Sequence, residues 1–282
     1  MKKLYLGLLA AVILAAVIML SCSNRKSVPE PIDSPIAEDS ALVSDADTTA
    51  LDTTEAAPPA AVDELFADFI YSYTTNRKFQ YSRTKFPLKW YEGKKVKTVN
   101  RKAWKFNRLH FEDNLHLVIL DSERSLRKLA NFSSDTVKVE CMQFVREYCR
   151  QYVFVRDSGR WLLSVVKNFP ISRHRDADFM EFYGNFANDS VFQTEHLAET
   201  IDFITYDDEN RNEKIEGIIE REQWPVFHPE LPEGDVYSID YGMRLKNSNV
   251  RVVSVRESSS GMSSMFKFVK HDGVWHLVKF EN

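Results

Sequence analysis

The apolar positions of this chain change period twice, in the same order each time. Phe66, Phe69, Ile70 and Tyr73, with Leu65 beside them, recur at i, i+3, i+4 and i+7, and so do Phe179, Phe182, Tyr183 and Phe186. That spacing predicts a helix with one buried face in each stretch. Asn76 and Asp189 are placed to cap a second short helix carrying Phe79 or Phe192. A third helical segment is expected to lead up to Trp104 and to precede Trp224. Beyond these points the period drops towards two. Strands are predicted at 115–120, 137–144 and 152–156, and again at 236–241, 250–256 and 265–270. Each set closes with a Gly-containing turn and a last strand through Trp161 or Trp275. Helices followed by an antiparallel meander are an α+β order.

The recurrence extends to residue identity. Residues 154–163 align without a gap on 268–277, so that Trp161 meets Trp275 at an offset of 114. Phe66, Phe69, Tyr73, Phe79 and Gln80 fall on Phe179, Phe182, Phe186, Phe192 and Gln193, and Phe79 meets Phe192 at an offset of 113. Arg101 and Trp104 answer Arg221 and Trp224. A long internal period means a repeated structural unit. The expectation is two diverged copies, 63–170 and 171–282, folding as separate units joined near residues 171–175.

The formal charge of −4 conceals an asymmetry. Residues 63–170 carry 21 basic and 12 acidic side chains, and residues 171–282 carry 12 basic and 21 acidic. A basic half beside an acidic half bears on partners and association. Lys94, Lys95, Lys97, Arg101, Lys102 and Lys105 concentrate the positive charge, and Glu213, Glu216, Glu220 and Glu222 answer them in the second copy. Such runs usually form a solvated helix face. The sharper reading is that the basic face meets the acidic one, within or between chains, or meets an anionic envelope polymer.

The N-terminus carries Lys2 and Lys3, an apolar run from Leu4 to Leu20, then Ser21 and Cys22. This is a signal peptide's order of parts. A small residue immediately before Cys resembles the bacterial lipobox, which makes 1–21 a signal peptide and Cys22 a lipidated first residue. The expected location is the cell envelope, tethered to a membrane through lipid, with the periplasmic face favoured over the cell surface because Ser23, Asn24, Arg25 and Lys26 lack an acidic run. Residues 22–62, rich in Pro and acid and free of aromatics, read as a disordered tether.

With Cys22 assigned to lipid, Cys141 and Cys149 remain. The Ser258, Ser259, Ser260 and Gly261 turn, projected back by the repeat offset, falls between them. They become candidates for a disulfide across a hairpin, the alternative being two buried thiols.

Helices followed by a curved sheet that ends in an aromatic strand, a Gly turn and a Trp-x-Leu strand (Gly159, Trp161, Leu163; Gly273, Trp275, Leu277) resemble the nuclear transport factor 2-like superfamily, and more narrowly a family of bacterial envelope lipoproteins with that fold. The resemblance implies two tandem cone-shaped α+β domains, each with N-terminal helices packed on a curved antiparallel sheet. In some members the cone opens as an apolar pocket. Such folds host isomerases, dehydratases, binding modules and dimerisation domains, so fold alone assigns no activity.

Trp90, Trp104, Tyr183, Phe203 and Trp224 are candidates to line a pocket, against their use as core. Asp207, Asp208, Glu209 and Asn210 lack the alternation, Gly and terminal Glu of a calcium loop, and read as a charged helix start. His196, His228 and His276 show no zinc spacing, and Ser258–Ser260 lack a nucleophile-elbow motif. No metal or cofactor is expected, and nucleic acid is not an expected partner. These readings favour a tethered, non-enzymatic module that binds an envelope protein, an acidic polymer or a second copy. The alternative is a small-molecule pocket protein, or an isomerase- or hydrolase-type enzyme using Asp240 or His196.

Overall fold

The structure, a computed structural model, describes residues 61–109, 115–207, 213–229, 231–257 and 263–282. The signal peptide, Cys22 and nearly all of the tether lie outside the described residues. Among the described residues no helix is long and apolar enough to cross a membrane.

The chain begins with α1 (Phe66–Thr75) and α2 (Arg77–Ser82), and continues through β1 (Thr84–Glu92), β2 (Lys95–Val99), β3 (Leu115–Leu120), α3 (Glu123–Leu129), β4 (Thr136–Gln143), β5 (Tyr148–Asp157) and β6 (Arg160–Pro170). Then α4 (Ala177–Asn188), α5 (Ser190–Glu195), β7 (Leu197–Tyr206), β8 (Lys214–Glu220), α6 (Trp224–Phe227), β9 (Asp235–Asp240), β10 (Val250–Glu257), β11 (Ser263–His271) and β12 (Val274–Glu281) follow much the same order. The predicted caps form. The Phe79 N–H donates to Asn76 Oδ1 at 3.0 Å, and the Phe192 N–H donates to Asp189 Oδ1 at 3.0 Å. The two-residue turns after β5 and β11 hold Ser158 and Gly159, and Asp272 and Gly273, at positive φ. That is the backbone whose twist suits a tight hairpin.

Gln80 and Gln193 do the same work in the two halves. Trp104 Nε1 donates to Gln80 Oε1 at 3.2 Å while Gln80 Nε2 donates to the Tyr73 carbonyl at 3.0 Å. Trp224 Nε1 donates to Gln193 Oε1 at 2.9 Å while Gln193 Nε2 donates to the Phe186 carbonyl at 3.0 Å.

Among the described residues the strands join one twelve-stranded sheet in the order β2-β1-β6-β5-β4-β9-β3-β10-β11-β12-β7-β8. The expected pair of separately folded units is corrected at the centre of this sheet. β9, from the second half, pairs antiparallel with β4, and β3, from the first half, pairs antiparallel with β10. Each half therefore completes its sheet with a strand borrowed from the other. The sheet is also mixed rather than antiparallel, because β1 with β6, β12 with β7, and β3 with β9 run parallel.

Two cores form on opposite faces. Val139 and Cys141 of β4 and Tyr237 and Ile239 of β9 pack with Phe66, Phe69 and Tyr73 of α1. Met142, next to Cys141, and Val236, next to Tyr237, pack with Phe179, Tyr183 and Phe186 of α4. Alternate residues of one strand point to opposite faces, so the same strands serve both cores. A smaller cluster seats Leu126 and Leu129 of α3, a helix the sequence reading missed, on Val118 and Leu120.

The same alternation corrects the disulfide. The turn does fall at residues 144–147, and β4 and β5 form the hairpin, but the register sets Cys141 opposite Arg150 and Met142 opposite Cys149. A one-residue offset puts the two thiols on opposite faces. Cys141 belongs to the core of α1 and Cys149 to that of α4, and both are free.

The third helical segments are corrected as well. The chain before Trp104 forms the β1–β2 hairpin, and the chain before Trp224 forms β7–β8 and only a short helical turn.

Candidate ligand-binding site

The basic run and its acidic counterpart lie on strands. Lys95 and Lys97 are on β2, flanked by Lys94, and Glu216 and Glu220 are on β8, flanked by Glu213 and Glu222; all are exposed. β2 and β8 are the two outer strands of the sheet. Eleven strand spacings of about 4.8 Å separate them, measured along the sheet, and the two strands do not pair with each other. Arg101 lies over the rings of Tyr81 and Phe86, and Lys102 is exposed in the following turn.

Beside β2 opens a pocket of about 330 Å³ lined by Trp90, Lys97, Val99, Ala103, Trp104, Lys105, Phe106 and Asn107. It unites two of the candidate aromatics with two members of the basic run. Its floor is rigid because Gln80, fully buried, accepts from the Asn107 N–H at 2.9 Å and donates to the Asn107 carbonyl at 2.7 Å, in addition to holding Trp104. The Asn107 side chain donates to Tyr152 Oη at 2.9 Å.

Next to the pocket stands a carboxylate that no motif announced. Glu92 Oε1 accepts from Trp90 Nε1 at 2.7 Å, from Asn168 Nδ2 at 3.0 Å and from Lys97 Nζ at 3.3 Å. Its Oε2 accepts from Tyr148 Oη at 3.0 Å and from Asn168 Nδ2 at 3.0 Å. Desolvation pushes this acid up, but the donors from Asn168, Trp90, Tyr148 and Lys97 outweigh it and hold its pKa at about 2. Arg150 braces the network by donating to Asn168 Oδ1 at 3.0 Å. Both Lys97 and Arg150 lie over the Trp90 ring, at 5.2 and 5.5 Å from its centroid. A carboxylate so held is a fixed negative charge and a weak proton acceptor.

The second half places aromatic rings at the equivalent positions. The ladder sets Trp90 beside Val166 and Val166 opposite Tyr152; in the second half Phe203 lies beside Phe280, and Phe280 opposite Phe266. Phe280 stacks on Phe266 and Phe203 at 5.0 and 5.8 Å, and the Trp224 ring meets it edge-on at 5.9 Å. Val166 thus stands in the first half at the ladder position that Phe280 occupies in the second. Tyr183, Phe203 and Trp224 thus belong to or pack on the second core rather than line the pocket.

The remaining candidates do not converge on the pocket. Asp240 is buried and paired with Lys138 at 3.0 Å and Arg175 at 3.1 Å. His196 closes α5, with Nδ1 at 2.7 Å from the Phe192 carbonyl and its ring stacked on Phe192 at 3.8 Å. His276 is pushed down by burial first and then by neighbouring His196. His228 stacks on Trp224. The Asp207 N–H donates to the Glu213 carbonyl at 3.0 Å, just beyond the β7–β8 pairing. Asp208, Glu209, Asn210 and Ser258–Ser260 lie outside the described residues.

Glu92, Tyr148, Arg150 and Asn168 escaped the sequence reading because parallel pairing of β1 with β6 assembles them across 76 residues. Only the alternation of Leu88, Trp90 and Glu92 along β1 could have placed Glu92 on the same face as the core.

A family model described as Domain of unknown function (DUF4348) matches residues 45–282. Among solved structures, an NTF2-like protein (BF2862) from Bacteroides fragilis NCTC 9343 is 30% identical with a TM-score of 0.73, over 79% of this chain and 98% of that one. The NTF2-like fold is thereby shown. A comparison with curated proteins finds no match.

Proposed function

Because the chain belongs to the DUF4348 family, whose description states no activity, we propose from its site that it is a membrane-tethered binding module without catalytic turnover, taking a small ligand in the pocket of its first half. One observation carries this reading: the pocket's aromatic walls and lysines stand beside Glu92, whose oxygens are occupied by four side chains. General base catalysis needs a group poised near the working pH, and a carboxylate held at about 2 serves instead to fix Trp90, Lys97 and Asn168.

The tether rests on Cys22 and the signal peptide before it, with the periplasmic face of the envelope as its place. The paired halves are read as a tandem duplication of one NTF2-like unit, 63–170 and 171–282. The recurring element order and the matched Gln80–Trp104 and Gln193–Trp224 hydrogen bonds support it. On this reading the duplicates exchanged their third strands, and one copy kept an open interior while the other filled with aromatic rings.

A second reading concerns the sheet edges. β2 is basic and β8 acidic, and exposed Val96, Ile215 and Ile218 lie on them. Complementary edges at opposite ends suit contact between copies of the chain, or of β2 with an acidic envelope polymer.

The pocket reading is tested on the chain from Ser23 onward by intrinsic tryptophan fluorescence and thermal unfolding against a panel of small apolar and anionic compounds. A ligand at 100 times its Kd adds about 2.7 kcal/mol. A shift in melting temperature that disappears in Trp90→Leu supports the pocket. Shifts unaltered by that substitution place binding elsewhere and overturn it.

A further inference from the structure

We infer that the pocket selects a small apolar anion, a hydrophobic body bearing one carboxylate- or sulfonate-like group. This rests on the pocket being a ligand site at all, and deepens that reading through the charges around it.

The walls come from Trp90, Trp104, Phe106, Val99 and Ala103, which present mostly hydrocarbon. A volume of about 330 Å³ is at the small end of ligand pockets. The charged groups in the lining are the ammonium groups of Lys97 and Lys105. Lys97 is engaged by Glu92, at a loose 3.3 Å. Among the described residues Lys105 makes no salt bridge, so its charge remains available to a ligand.

The neighbouring carboxylate Glu92 does not cancel this field. Glu92 is shared among Lys97, Trp90, Tyr148 and Asn168, and Arg150 behind Asn168 adds a further positive charge. A cationic ligand would have to displace Lys97 or Arg150 from the Trp90 ring, where both already sit. A neutral apolar ligand would gain wall contacts but leave Lys105 without a partner at the pocket rim. An apolar anion satisfies both features, with its body against Trp104 and Phe106 and its charged end between the lysines.

The test uses two fluorescent probes with one ring system, 8-anilinonaphthalene-1-sulfonate and the uncharged N-phenyl-1-naphthylamine, titrated into the chain from Ser23 onward. The sulfonate is expected to bind at least about tenfold more tightly at low salt, a difference of 1.4 kcal/mol. That preference should vanish in the double variant Lys97→Gln, Lys105→Gln and survive in Lys97→Arg, Lys105→Arg. Both lysines are exposed, and melting curves of each variant check the fold. Equal binding of the two probes, weakened equally by Trp90→Leu, would keep the pocket and overturn the anion preference. Binding of neither probe, or binding of both that Trp90→Leu leaves unchanged, would overturn the pocket reading and this inference with it.

Discussion

Leu117 and Ser238 stand side by side in parallel register where β3 meets β9, a first-half residue beside a second-half one at the middle of the sheet. Neither strand lies with the rest of its own half. β9 supplies Tyr237 and Ile239 to the core of α1, and β3 supplies Leu117 and Ile119 to the core of α4. Fragments 63–170 and 171–282 are therefore expected to be largely unfolded alone and to gain structure when mixed. Circular dichroism of each fragment and of their mixture checks this; cooperative melting of either fragment alone would contradict it.

Gly184 of α4 faces Phe144, which follows β4. A Cβ built on Gly184 would lie 2.5 Å from Phe144 Cδ1 and 2.9 Å from Cγ. Gly184→Ala should cost about 1–3 kcal/mol through overpacking, although alanine is the better helix former. In a Phe144→Leu background the cost should shrink. A double-mutant cycle by urea unfolding measures that coupling.

The thiols of Cys141 and Cys149 are both pushed up by burial. Since the thiolate is the reactive form, neither is expected to react with iodoacetamide at pH 8 in the folded chain, and both should react in urea. Mild oxidation should leave the mass of the chain unchanged. Loss of two hydrogens in the folded protein would show that the register of β4 against β5 is different.

Stability should fall in acid through two windows. Burial, then Arg256, lowers His116 from its usual value to about 4. Its protonation therefore favours the unfolded chain, and its contribution, complete above about pH 6.5, is lost as pH falls towards 4. For this buried ring the loss is of order 2–3 kcal/mol. Glu92, held at about 2, contributes above the ordinary glutamate value and loses that contribution as pH falls from about 4.3 towards 2. Its share is smaller, because its side chain is 40% exposed and screened. Urea titrations between pH 7 and 2.5 should show both slopes, with His116→Gln flattening the upper and Glu92→Gln the lower.

What the sequence made legible follows from how local each signal is. The α1 and α4 faces, the caps at Asn76 and Asp189, and the Gly159 and Gly273 turns are set by residues within one or two turns of each other, and they stand where the pattern put them. β1, β2, β7 and β8 were less legible. Pro87 interrupts the alternation in β1, and the outer strands β2 and β8 are exposed nearly throughout, so neither shows the one-sided burial that marks a strand. The exchange of β3 and β9 left no trace in the pattern, because a strand buried on both faces reads the same whichever neighbour it joins. Trp90 and Trp104 were visible as large aromatics near lysines. Their union with Glu92, Arg150 and Asn168 depended on pairings that no local spacing encodes.

The exchanged strands also govern how the molecule can change over time. A pair of domains joined by a linker can lose one member and keep the other, but here deletion of either half would remove the strand on which the remaining half closes. The aromatic-filled half is thus retained as a brace whether or not it recognises anything. The mouth around Trp90 is free to diversify, since the support beneath it is anchored in a partner from which it cannot be separated.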